Sequence, residues 1–84
     1  MGAVFIVYIL EFCPKCEILK DFLISHQIPF TVVDMSSAKA LTELRVNGIF
    51  VQEAPVLQMD KKFLTSKDLF NDDTVNEKQI LDLI

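Results

Sequence analysis

Cys13 and Cys16 lie three positions apart around a proline in the stretch EFCPKCEILK, residues 11 to 20, and carry the most reactive side chains of the chain. Such a pair can clip a metal ion, staple the chain, or exchange electrons between a dithiol and a disulfide. The composition narrows the choice. Two cysteines in 84 residues are too few for the multi-bridge frameworks of small secreted domains, and a bridge over so short a loop constrains little chain. Structural zinc takes four ligands, whereas the chain offers Cys13, Cys16 and its single histidine, His26. On a helix running from Cys16, His26 would lie about 15 Å further along the axis. Zinc held within one chain is therefore disfavoured, and a metal shared between two chains stays open.

The remaining bounds agree with redox chemistry. Hydrophobic residues make up 51% of the chain and seven are Phe, enough for one compact domain over residues 1–84 without staples. A chain of this size buries roughly 60 to 65% of the surface that its unfolded form exposes. The net charge of −4 supplies no basic stripe for phosphates, so no nucleic-acid partner is expected. Lys61 and Lys62 read as a solvated turn. The apolar run GAVFIVYIL at 2–10 has no preceding positive charge and no small-residue cleavage site after it, and it is too short to cross a bilayer. The opening MGAVFI has Ile6 where a myristoylation signal needs Ser or Thr. No membrane partner is expected, and a reducing cytoplasmic setting is the default, in which a lone C-x-x-C more often does redox chemistry than structural work.

The elements that must position the pair follow from periodicity. Residues 3–10 form an unbroken apolar run rich in Val, Ile, Phe and Tyr, as in a strand buried on both faces. After Cys16, Ile18, Leu19, Phe22 and Leu23 mark one face of a helix to about Ser25. FTVVDM at 30–35 is a second strand, and Ser36 or Ser37 caps a helix from Ala38 to Val46 that Asn47-Gly48 stops in left-handed conformations. APVLQM at 54–59 and KFLT at 62–65 form a hairpin through Asp60-Lys61. Thr74 and Glu77 form a capping box that opens a last helix burying Ile80, Leu81 and Ile84. The order is βαβαββα, with the first βαβ unit parallel and right-handed.

Cys13 then falls where a strand ends and a helix begins, facing unpaired backbone N–H groups and the positive end of the helix dipole. Both favour thiolate over thiol, and Lys15 adds a cation, while Glu11 and Glu17 oppose the shift. Pro14 fits the first helical position, where its missing N–H costs nothing. Cys16, one turn later on the same face, is expected deeper and within disulfide reach. Cys13 is thus the expected nucleophile and Cys16 the residue that resolves the mixed disulfide.

With CPKC after the first strand, EAPVL opening the third, and βαβαββα over nearly the whole length, the chain resembles the glutaredoxin-like proteins of the thioredoxin fold. The resemblance implies an α/β domain with a four-stranded mixed sheet flanked by three helices, acting as a monomeric thiol-disulfide oxidoreductase with no tightly bound cofactor or metal. It implies a cis Ala54-Pro55 bond facing the cysteines, the Ala54 backbone holding an extended substrate, and a substrate surface shared by Phe12, Pro14, Lys15, Ser66 and Asp68. Phe12 stands where thioredoxins carry Trp. Leu10 occupies the place of a lysine that glutathione-using members carry, and TSKD at 65–68 replaces their Gly-Gly-x-Asp, leaving Asp68, with Ser66, as the acidic end for a γ-glutamyl ammonium. Glutathione as co-substrate is therefore expected to work poorly, with a protein reductase or another low-molecular-weight thiol reducing the protein and disulfide-containing proteins as substrates. Two further readings stay open: an electron donor to ribonucleotide reductase, and an iron–sulfur protein in which two chains and small thiols hold a cluster through Cys13. Pro14 counts against the cluster.

Overall fold

The computed structural model describes residues 5–50, 53–60, 62–71 and 74–83. Strand β1 (Phe5–Ile9) is followed by helix α1 (Pro14–Ser25), strand β2 (Phe30–Asp34), helix α2 (Ala38–Val46), and strands β3 (Val56–Met59) and β4 (Lys62–Leu64). A short helix α3 (Ser66–Leu69), strands β5 (Phe70–Asn71) and β6 (Thr74–Val75), and helix α4 (Glu77–Leu81) complete the described chain.

The main sheet runs β2-β1-β3-β4. β1 pairs parallel with β2, with Val7 opposite Val32, and antiparallel with β3, with Val7 opposite Leu57. Its central position explains its unbroken apolar run, because successive side chains enter opposite cores. Phe5 and Val7 join Leu57 and Met59 under α1, α3 and α4, where Leu19, Leu23, Leu69 and Ile80 meet them. Tyr8 and Val56 point the other way, to Ala40 and Leu44 of α2. Each aliphatic side chain wholly removed from water contributes about 1.5 to 3 kcal/mol, so the sheet is held from both faces.

Local chemistry sets the element ends. Ser37 caps α2 by accepting from the Ala40 N–H at 3.1 Å. Gly48 alone ends that helix in the left-handed region, at φ 79°; Asn47, expected to share that role, has φ −94°. Met59 pairs with Lys62 across a two-residue connection, and Asp60 adopts the positive φ of 57° that such tight turns require at their first position. Lys61, like Ala3, Val4 and Ile84 among the expected strand and helix residues, lies outside the described residues.

The C-terminal third departs from expectation. There are four helices among the described residues, not three, and an added two-stranded sheet. Thr74 does not cap the last helix. It pairs with Asn71 in β6, and Asn76 takes the N-cap position, its N–H donating to the Leu69 carbonyl at 2.7 Å. Ile80 is buried, but Leu81 is exposed, and Leu83 packs against the core in its place. Residues three apart share a helical face and adjacent ones do not. The same geometry exposes Ile18 on α1, whose buried stripe runs through Cys16, Leu19 and Leu23 with Phe22 at its margin.

Two outcomes follow. A Cβ on Gly48 would meet no heavy atom within 4 Å, so Gly48→Ala isolates the backbone cost of φ 79° and should lower stability by about 1 kcal/mol in urea unfolding. Tyr8 donates to Gln58 Oε1 at 2.6 Å, and burial, then the Glu43 carboxylate, raise its hydroxyl above the ordinary 10.0. Because the folded chain holds this proton more tightly, its contribution is complete below the unfolded pKa and is lost as the pH rises through the folded value. Thermal melts at about pH 9 and about pH 11 should therefore differ less in Tyr8→Phe than in the parent.

Candidate redox site

The turn from β1 into α1 is made by a residue type that rarely makes such turns. Phe12 takes a left-handed φ of 55° and leaves its ring 98% exposed. For a residue with a Cβ this conformation costs about 1 to 2 kcal/mol. Its consequence is to bring the chain into the helix with Cys13 extended, at φ −112° and ψ 97°, as the N-cap. Pro14 is the first helical residue, as its fixed φ and missing donor favour.

Cys13 caps with sulfur. Its Sγ accepts the Cys16 N–H at 3.1 Å, in the place usually held by a Ser or Asp oxygen. The two cysteines are joined as a disulfide with Cα atoms 5.2 Å apart, inside the range in which such bridges close. They are not equivalent. Cys16 is 2% exposed and faces the core, while Cys13 is half-buried at the surface. The arrangement is compatible with a redox-active dithiol.

Two shallow depressions meet at Cys13. One, of about 550 Å³, is bounded by Ile9, Leu10, Phe12, Pro14, Cys16 and Glu17. The other, of about 480 Å³, runs from Leu10, Glu11 and Phe12 past Cys13, Pro14 and Lys15 to Glu53, Ala54 and Ser66. The Ala54-Pro55 bond is cis; Ala54 lines the second depression, and Pro55, the residue before β3, is buried. Phe12, Pro14, Lys15, Ala54 and Ser66 are thus brought to one cleft with Cys13.

The polar groups of the cleft hold particular positions. The Lys15 ammonium lies 5.6 Å from the centre of the Phe70 ring, a cation–π contact. Ser66, 7% exposed, donates its hydroxyl to Glu53 Oε2 at 3.0 Å. Glu17 pairs along α1 with Lys20. Asp68 is not among the residues lining the two depressions, and its Oδ2 accepts from the Thr65 N–H and from the Thr65 hydroxyl, both at 3.2 Å, at the start of α3. The capping box expected at Thr74 and Glu77 is found here, at Thr65 and Asp68.

Glu53 is the cleft residue that sequence reasoning passed over. Its one signal was its place two residues before Pro55. His26 ends α1 at the far end from the cysteines, its ring tilted 40° against that of Phe22 with centres 4.3 Å apart and its Nε2 3.8 Å from Glu77 Oε1. Among the described residues no three His, Cys, Asp or Glu side chains gather as a metal site, and no helix is long and apolar enough to cross a membrane.

No protein-family model matches the chain, and no curated protein matches it significantly. A C-x-x-C pair in a small α/β fold with a four-stranded mixed sheet and four helices is consistent with a thioredoxin-like protein.

The assignment of Asp68 to a cap is directly measurable. Asp68→Ala should lower stability by about 1 kcal/mol in urea unfolding. The rate at which iodoacetamide alkylates reduced Cys13 should not change; a large change would return Asp68 to the site.

Proposed function

We propose that the chain is a glutaredoxin-like dithiol-disulfide oxidoreductase of the thioredoxin fold, reducing disulfides in proteins at its CPKC corner. The observation that carries this reading is the asymmetry of the cysteine pair: a half-buried sulfur that receives a helix N-terminal N–H, bridged to a buried one.

The chemistry begins from the reduced pair. A thiolate at Cys13 is favoured by the Cys16 N–H and by the positive end of α1. It attacks one sulfur of a substrate disulfide lying against the Ala54 backbone, forming a mixed disulfide and releasing the first substrate thiolate, which takes up a proton. Cys16 then loses its proton to solvent, and its sulfur attacks Cys13 Sγ. The Cys13–Cys16 disulfide forms and the second substrate thiol departs. Two electrons have passed to the substrate, and an external dithiol, or two monothiols, must return them.

The cleft's charges bear on which thiol returns them. Among the described residues, Glu11 and Glu53 line it against a single ammonium, Lys15, which lies over the Phe70 ring. Leu10 borders both depressions and packs on the core beneath α2, so the position of the missing lysine is an apolar one here. Glutathione, an anion, is disfavoured on this reading; a protein reductase or a neutral small thiol is the expected reductant. The working form is a monomer without resident metal or cofactor, acting in a reducing compartment such as the cytoplasm.

Cysteine substitutions test the scheme. Reduced Cys16→Ser should accumulate a mixed disulfide with a model substrate, read as the added mass of one substrate half on Cys13, whereas Cys13→Ser should form none. Faster alkylation of Cys16 than of Cys13 near neutral pH in the reduced parent would reverse the roles.

A further inference from the structure

The proposed chemistry leaves open how the cleft chooses among disulfides, and one acidic side chain in it is tethered by a hydrogen bond. Glu53 enters from the segment before β3, next to Ala54, and Ser66 enters from the first turn of α3. The Ser66 hydroxyl is nearly enclosed, and it donates to Glu53 Oε2 at 3.0 Å. An exposed glutamate ordinarily samples many rotamers, and ordering it costs entropy. Here one oxygen is tethered by a donor that has itself little freedom, while the residue stays exposed.

We propose that Glu53, positioned by Ser66, sets the charge preference of the cleft, so that the protein acts on disulfides flanked by Lys or Arg and disfavours acidic ones. This rests on the redox reading above. Three features of the depression and one of the whole chain support it. Glu53 shares its depression with Cys13, so a substrate whose sulfur reaches Cys13 passes its neighbouring side chains along the Glu53 wall. The second carboxylate of that depression, Glu11, lies on the opposite side of Cys13 in the chain and adds the same sign. Among the described residues that line the depression, the one cation, Lys15, has the Phe70 ring as its partner rather than Glu11 or Glu53. The overall charge of −4 supports attraction of the same sign at longer range.

The exchange is the one already described, with two electrons passing from the cysteine pair to the substrate, so a single turnover of the reduced protein suffices for a test. The probes are short peptides with one cysteine in mixed disulfide with β-mercaptoethanol, flanked by Lys, by Ser or by Glu, together with glutathione disulfide. Second-order rate constants are read from the loss of alkylatable Cys13 and Cys16 by mass. The Lys-flanked peptide should react faster than the Glu-flanked one by roughly five- to tenfold at low salt, a preference that shrinks as salt rises. Glutathione disulfide should fall with the acidic peptide.

Glu53→Gln should cut the Lys-to-Glu ratio by about three- to fivefold, and Glu53→Lys should invert the order. Ser66→Ala leaves every charge in place, so a reduced ratio in that variant reports loss of positioning. Equal rates for all three peptides, or a ratio that neither Glu53 variant moves, would overturn the proposal while leaving the redox reading standing. No reaction with any peptide, the Ser-flanked one included, would overturn the redox reading itself.

Discussion

The hydrogen bond from the Cys16 N–H to Cys13 Sγ makes the cap of α1 and the candidate reactive sulfur the same atom, at 3.1 Å. The start of α1 and the position of the sulfur therefore cannot vary independently. Everything upstream must deliver Cys13 in extended conformation at one point: β1 must end at Ile9, and the chain must reverse through a left-handed Phe12. The unfavourable φ at Phe12 is tolerated because both of its flanks are held. β1 is fixed by paired strands on either side, and α1 by Cys16, Leu19 and Leu23 in the core. The exposure of Phe12 follows from the same turn, so the most exposed aromatic ring beside the cysteines comes from the conformation that places them.

What was legible in the sequence divides by the range of the forces involved. β1, α1, β2, α2 and the β3–β4 pair announce themselves through periodicity over several residues and through local caps such as Ser37 and Pro14. The β5–β6 hairpin has two residues in each strand, too few for any period, and its Phe70 and Val75 pack on a core of distant residues that includes Leu19, Leu69 and Ile80. The spacing of Thr74 and Glu77 predicts a capping box, but the box forms at Thr65 and Asp68, because the pattern is short and strand pairing claims Thr74. The exposure of Ile18 is a matter of phase: the buried stripe through 16, 19 and 23 and a predicted one through 18, 19, 22 and 23 differ by less than a helical turn.

The site divides in the same way. The cysteine pair and Pro14 are a contiguous signal, and the cis Ala54-Pro55 bond was expected from resemblance and is present. Glu53 had no local signature, since its orientation depends on a hydroxyl thirteen residues further along the chain. Asp68 was ambiguous for the opposite reason. An acidic residue three positions after Thr65 satisfies both a capping and a ligand-binding reading, and in the structure its Oδ2 serves the cap.

Burial and capping together assign unequal work to two chemically identical side chains. A thiolate on Cys16, at 2% exposure, would lack solvent around it, and desolvation of a charge is costly. A thiolate on Cys13 keeps partial contact with water and receives an N–H that would otherwise lack an acceptor within the helix. In the proposed chemistry the charge therefore rests on Cys13 between turnovers, and Cys16 need ionise only when Cys13 is tied to a substrate. At that moment Cys13 Sγ has become neutral, and the like-charge repulsion that opposes a second thiolate one helical turn away is gone. The order of events follows from where the two sulfurs sit relative to the core and the helix end, and the same C-x-x-C spacing shifted two residues into α1 would carry no such order.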